Sequence, residues 1–185
     1  MIRLKPPVPI CDDAEFSPDG LERLWLSRKV AETGPVGIFI GLNPSTAGAT
    51  VDTNDHTITK ECEFARRFGW SGFWKVNIFT CIETYSANLK SLAFVTAVGL
   101  HGDAVLRVVL TLAQVIVVCW SASVPKNKLH RVRQVEEMLR ELSPEAALGC
   151  FGLSKDGYPV HPLRLSYDTR LVPYELPVRT SLRDE

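Results

Sequence analysis

The sequence predicts an α/β fold: a three-layer α-β-α sandwich around a central, mostly parallel, four-stranded sheet. Two observations predict it. Short apolar, β-branched runs alternate along the chain with segments of helical periodicity, the pattern of parallel strands joined by crossover helices. Polar residues also recur just past the carboxyl ends of those runs, the edge where open parallel sheets bind ligands. At 185 residues the chain has the length of a single domain. Residues 1–35 read as a lead-in and 168–185 as an Arg-rich tail of the same domain.

Pro6, Pro7 and Pro9 keep the beginning extended, and Asp19-Gly20 marks a turn. Residues 21–30, LERLWLSRKV, fit a peripheral strand or a short helix, the strand being the better fit. Gly34-Pro35 breaks the segment. Residues 36–40, VGIFI, form the first core strand, buried on both faces by composition, and end at Gly41. The sequence then turns through Leu42, Asn43, Pro44 and Ser45 into a loop of small and acidic residues, 46–55. A helix is expected over 57–68, capped by Asp55 or Thr57. The second core strand covers 73–79, FWKVNIF, with Asn77 near its end. A single long helix is expected over 93–112. The third strand covers 113–120, AQVIVVCW, and ends in Trp120-Ser121. An amphipathic helix follows at 125–142, then a fourth strand at 146–153, running on to His161-Pro162-Leu163.

Composition narrows the function classes. Lys plus Arg equals Asp plus Glu at 21 each, so a nucleic-acid partner would need a local basic face. The five cysteines are scattered singly without a CxxC pair, giving little support to a zinc or iron–sulfur site. Cys119 and Cys150 sit in apolar runs and read as buried thiols of a cytoplasmic protein. No signal-peptide core or membrane-spanning run is present in the sequence. A nucleophile elbow and a phosphate-cradling P-loop are both missing.

Four segments in order resemble the uracil-DNA glycosylase superfamily: GLNPS at 41–45, KVNIFT at 75–80, VIVVCWSASVPKNK at 115–128 and HPLRLS at 161–166. The Gly-Leu-Asn-Pro-Ser-Thr opening is also similar to that of a set of bacterial and phage proteins. The resemblance implies a monofunctional hydrolase without metal or cofactor. Such an enzyme flips a base from DNA and breaks its N-glycosidic bond. Asn43 would hold the attacking water, as an amide where much of the family has Asp. His161 would hydrogen-bond the departing base. Asn77 would read the base edge, unless it ties its strand to a neighbouring loop.

In the uracil-specific branch a Tyr stands where this chain has Ser45, and it closes the pocket against C5 substituents. Ser45 therefore implies room for a 5-substituted or bulky modified pyrimidine, such as glucosylated 5-hydroxymethylcytosine of phage DNA, and a role in antiviral defence. Gly41, Leu42, Pro44, Trp120 and Ser121 would line the pocket. Asp52 and Asp55 would contact the substituent, unless Asp55 only caps the next helix. One of Phe73, Trp74 and Trp120 would stack on the base unless all three are core. DNA contact would come from Lys126, Lys128, Arg131, Pro162, Leu163 and Arg164, with Leu163 or Leu165 wedging into the stack. The cations have a plainer reading as a solvated helix face. The chain is expected to act as a monomer. A uracil or mismatch repair glycosylase, a non-catalytic reader of modified bases or nucleotides, and a nucleoside hydrolase stay open.

Overall fold

The computed structural model describes residues 2–48 and 50–177. It is an α/β protein built on one mixed, seven-stranded sheet in the order β1-β2-β4-β3-β5-β6-β7. The strands are β1 (Asp13–Phe16), β2 (Arg23–Lys29), β3 (Val36–Gly41), β4 (Gly72–Asn77), β5 (Val115–Val118), β6 (Ala147–Cys150) and β7 (Val172–Pro173). Four helices accompany them: α1 (His56–Arg67), α2 (Phe94–Val98), α3 (Gly102–Leu110) and α4 (His130–Leu142).

The expected count of four strands is corrected to seven. Strands β4, β3, β5 and β6 are mutually parallel and form the centre. To one side, β2 runs antiparallel to β4 and β1 antiparallel to β2. On the other, the two-residue β7 pairs antiparallel with β6. β2 is an interior strand, not a peripheral one. Its cations conceal this in sequence, since Arg23 and Arg28 are both buried. Arg28 is anchored by Asn54 Oδ1 at 2.7 Å and by the carbonyls of Gly48 and Thr50 at 2.7 and 3.0 Å.

β3 explains the two-sided core. Successive side chains point to opposite faces, so Ile38 and Ile40 pack into one apolar cluster and Phe39 into another. The first cluster takes Val105, Leu106 and Val109 of α3 with Val135 and Leu139 of α4. The second takes Ile58 and Phe64 of α1, with Phe39 edge-on to Phe73 at 5.1 Å between ring centres. The expected long helix over 93–112 is two helices. Gly99 has φ 78° and ends α2. A Cβ there would collide with the side chains of Glu22 and Thr80, so only glycine fits both the backbone and the space. Residues 125–129 form a 3₁₀ turn and its flanks before α4 rather than its first turn. The part of the expected tail at 178–185 lies outside the described residues. Among the described residues no helix is long and apolar enough to cross a membrane.

In the parallel centre, the first strand in the chain (β3) lies between the second (β4) and the third (β5). The direction of winding reverses there, and such a switch point leaves a crevice beyond the strand ends.

Candidate functional site

A cavity of about 910 Å³ opens at that crevice, within the roughly 300–1,000 Å³ of pockets that enclose small ligands. Four strand exits reach it. After β3 come Leu42, Asn43 and Ser45; β4 contributes Lys75 and Asn77; Ser121 follows β5 and His161 follows β6.

The floor is set by the two-residue period of β4, which puts Lys75 and Asn77 on one face. Gly41 lies against them, and a Cβ there would stand 2.7 Å from both Asn77 Oδ1 and Lys75 Nζ. Lys75 Nζ donates to Glu61 Oε1 of α1 at 2.5 Å, and both side chains are almost fully buried. Burial raises the Glu61 carboxyl above its usual range. For Lys75, burial works to lower the ammonium, but the neighbouring Cys119 and Glu61 outweigh it and hold the group above its ordinary value. Cys119 Sγ lies 3.8 Å from Lys75 Nζ, and burial pushes its thiol up to about 12.

Asn77 is 3% exposed, and its Oδ1 has no hydrogen-bond partner. Buried polar atoms are nearly always paired, yet this acceptor lies unpartnered against Gly41, beside Lys75 Nζ. Asn43 behaves in the opposite way. Its Nδ2 donates to Pro44 O at 2.9 Å and Glu83 O at 2.6 Å. Two carbonyls accept only from the NH₂ end, which fixes the amide's orientation. The donor end is spent, and Oδ1 is the free acceptor.

His161 caps the short turn Pro162–Arg164, its Nδ1 accepting from Leu163 N at 3.3 Å. A backbone N–H can only donate, so Nδ1 carries no proton and Nε2 holds the hydrogen. Burial, reinforced by the Lys75 charge and opposed by Asp55, lowers the imidazole to about 4. His161 is therefore a neutral Nε2–H donor at physiological pH. Asp55 both lines the cavity and caps α1, its Oδ1 accepting from Ile58 N at 2.8 Å. Ser121 has φ 66°, an uncommon backbone for a residue with a Cβ, and its Oγ accepts from Ser123 N at 3.2 Å.

Several expected residues lie elsewhere. Pro44 is buried in the turn, and Asp52 is exposed on a short turn outside the cavity. Trp120 is fully buried, its ring edge-on to Tyr174. Phe73 and Trp74 are likewise core, and none of the three aromatics lines the cavity. Lys128 and Arg131 are not surface cations. Lys128 Nζ donates to Leu92 O at 2.7 Å, and Arg131 Nε to Ile78 O at 2.7 Å, with Asp103 paired to Arg131 at 2.6 Å. Lys126 is exposed but away from the cavity, and Pro162 is buried. Leu163, 42% exposed, and Arg164 stand at the cavity with Leu165.

Three participants went unread in the sequence: Arg23, Lys75 and Glu61. A lysine inside the apolar run FWKVNIF was the legible signal, since a charge in a buried strand requires a partner. Among the described residues no three His, Cys, Asp or Glu side chains cluster as a metal set.

Fold and site together define an α/β protein with a polar pocket at the carboxyl edge of its parallel strands. The chain belongs to the family described as "Protein of unknown function (DUF1643)", whose model matches residues 23–163. No curated protein and no solved structure matches it.

Proposed function

We propose that this chain is a DNA base glycosylase of the uracil-DNA glycosylase type, built on that superfamily's three-layer fold and acting in the cytoplasm as a monomer. The observation that carries the reading is the convergence of Asn43, Asn77 and His161 on one cavity, each with a free group of the required kind. Hydrolysis forms a bond from water oxygen to C1′ of the sugar and breaks the C1′–N bond, whose electron pair leaves with the base. Asn43 Oδ1 accepts a hydrogen bond from the water and turns its lone pair to the sugar. The amide takes no proton, so the water's proton passes to solvent. Neutral His161 donates from Nε2 to the base oxygen where negative charge develops. Asn77 Oδ1 accepts from the base edge. Ser45 leaves the C5 side open, which supports a 5-substituted pyrimidine over plain uracil. Leu163 and Arg164 meet the opened DNA.

The test is alkaline cleavage of labelled oligonucleotides carrying uracil, a thymine mismatch, 5-hydroxymethylcytosine or its glucosylated form. Single breaks at a substituted base, lost in Asn43→Ala with binding retained, support the reading. Breaks at uracil alone make the chain a repair enzyme. Binding without breaks makes it a non-catalytic reader.

A further inference from the structure

The proposed chemistry gives no role to Arg23, a buried cation of the cavity. Arg23 begins β2, is 2% exposed and lines the chamber. Its Nη1 donates to Ala47 O at 2.9 Å, which fixes the guanidinium behind the loop that follows Ser45. Its Nε is buried with no partner. Asp55 lines the same chamber and acts on the Arg23 charge through space, without an ion pair between them among the described residues. A buried N–H of a charged group left without an acceptor is expensive. The fold keeps two such mismatched groups here, a donor on Arg23 and an acceptor on Asn77.

We propose that Arg23, with Asp55 of the same chamber, is the specificity-determining residue for an oxygen-rich, uncharged C5 substituent, a hydroxyl or a sugar, carried by the flipped pyrimidine. The inference rests on the glycosylase reading and adds the residue that recognises the substituent. Charge balance argues for a neutral group. The cations Arg23, Lys75 and Arg164 are matched by the carboxylates Asp55, Glu83 and Glu61, so a phosphate would enter without net attraction. A hydroxyl accepts and donates at once. It can accept from the Arg23 guanidinium and give its own hydrogen to Asp55, which lines the same chamber.

The experiment uses duplex oligonucleotides with cytosine, 5-hydroxymethylcytosine or glucosylated 5-hydroxymethylcytosine at one position. Base release under single turnover and binding by fluorescence anisotropy are measured in parallel, with the melting temperature of every variant. The wild type favours the substituted bases. In Arg23→Gln the preference ratio falls about ten- to hundredfold, the worth of a hydrogen bond to a charged donor, and Arg23→Lys restores part of it. Ser45→Tyr, at a half-buried loop position, lowers the same ratio by taking up room in the chamber it shares with Arg23, and carries the test if Arg23→Gln does not fold. Equal losses on all three bases, or an unchanged ratio, would overturn the assignment. Base release without preference overturns the subsite and spares the glycosylase. A binding preference that depends on Arg23, without base release, does the reverse. No binding and no release in any case removes both.

Discussion

Replacing Glu61 by Leu tests how much of the site rests on one buried ion pair. Glu61 and Lys75 have side chains 0% and 4% exposed and meet at 2.5 Å. Exposed pairs contribute roughly 0–1 kcal/mol, whereas removing one partner of a buried pair costs about 3–5 kcal/mol by stranding the other charge. Glu61→Leu strands the Lys75 ammonium among Gly41, Cys119 and Asn77. At roughly 2–4 °C per kcal/mol for a chain of this length, the melting temperature should fall by about 6–20 °C. Glu61→Leu/Lys75→Met removes both charges and should recover most of the loss, because an apolar pair of similar volume is near neutral. The pH dependence gives a second check. Unpaired in the variant, Lys75 has a depressed folded pKa, so the unfolded chain binds more protons and stability rises with pH until the unfolded lysine titrates near ~10.4. The single variant's deficit should shrink from pH 7 to pH 10, and the double variant should show no such recovery. Melting followed by circular dichroism reads both. A single variant within a degree of wild type, or a double variant worse than the single, would refute the reasoning.

Other consequences follow from the same geometry. The His161 imidazole should titrate in NMR near 4, identified among the four histidines by its loss in His161→Gln. Base release should therefore be flat down to about pH 5, and its acid limb should move upward in Glu61→Leu/Lys75→Met, where the Lys75 charge that helps lower His161 is gone. Because the folded imidazole is depressed from 6.5, stability is complete above that value and is lost as pH falls through 4. Arg131→Met should lower stability by about 1–3 kcal/mol in urea unfolding by leaving Ile78 O without its buried donor. Its effect on DNA affinity should match that of general destabilisation and leave the salt slope unchanged, since Arg131 meets no phosphate.

The parallel centre was legible because its strands are continuous apolar runs, and strand ends collect ligand-binding groups as a matter of topology. Asn43, Asn77, Ser121 and His161 were readable on that ground alone. What stayed hidden has a common cause. Arg23, Arg28, Lys128 and Arg131 are charged, and charge reads as surface, yet here each guanidinium or ammonium is satisfied in part by backbone carbonyls distant in sequence. Such partners carry no side-chain signature. The break at Gly99 was hidden for the opposite reason. The surrounding apolar period is helical on both sides, and only the positive φ and the neighbours Glu22 and Thr80 separate the two helices.

Two further backbone carbonyls explain why position 43 holds an amide. Asn43 Nδ2 sits between Pro44 O and Glu83 O and donates to both. A carboxylate in that place has no hydrogen to give, and it would face two acceptors. Asn43→Asp would install the stronger general base but lose the contacts that aim it. The loop should lose about 1–3 kcal/mol at pH 7, the range for buried groups left unsatisfied. The repulsion raises the folded pKa of the new carboxyl, so the folded state binds the extra proton and stability should recover as pH falls toward 4, where the protonated acid can donate to one carbonyl. Base release should fall at neutral pH in step with the lost order of the loop, despite the better base. Urea unfolding at pH 7 and pH 4.5, set beside release rates, decides it. Full stability at pH 7 together with faster release would mean that the two carbonyls do not hold this side chain, and that the amide is retained to restrain the chemistry rather than to build the loop.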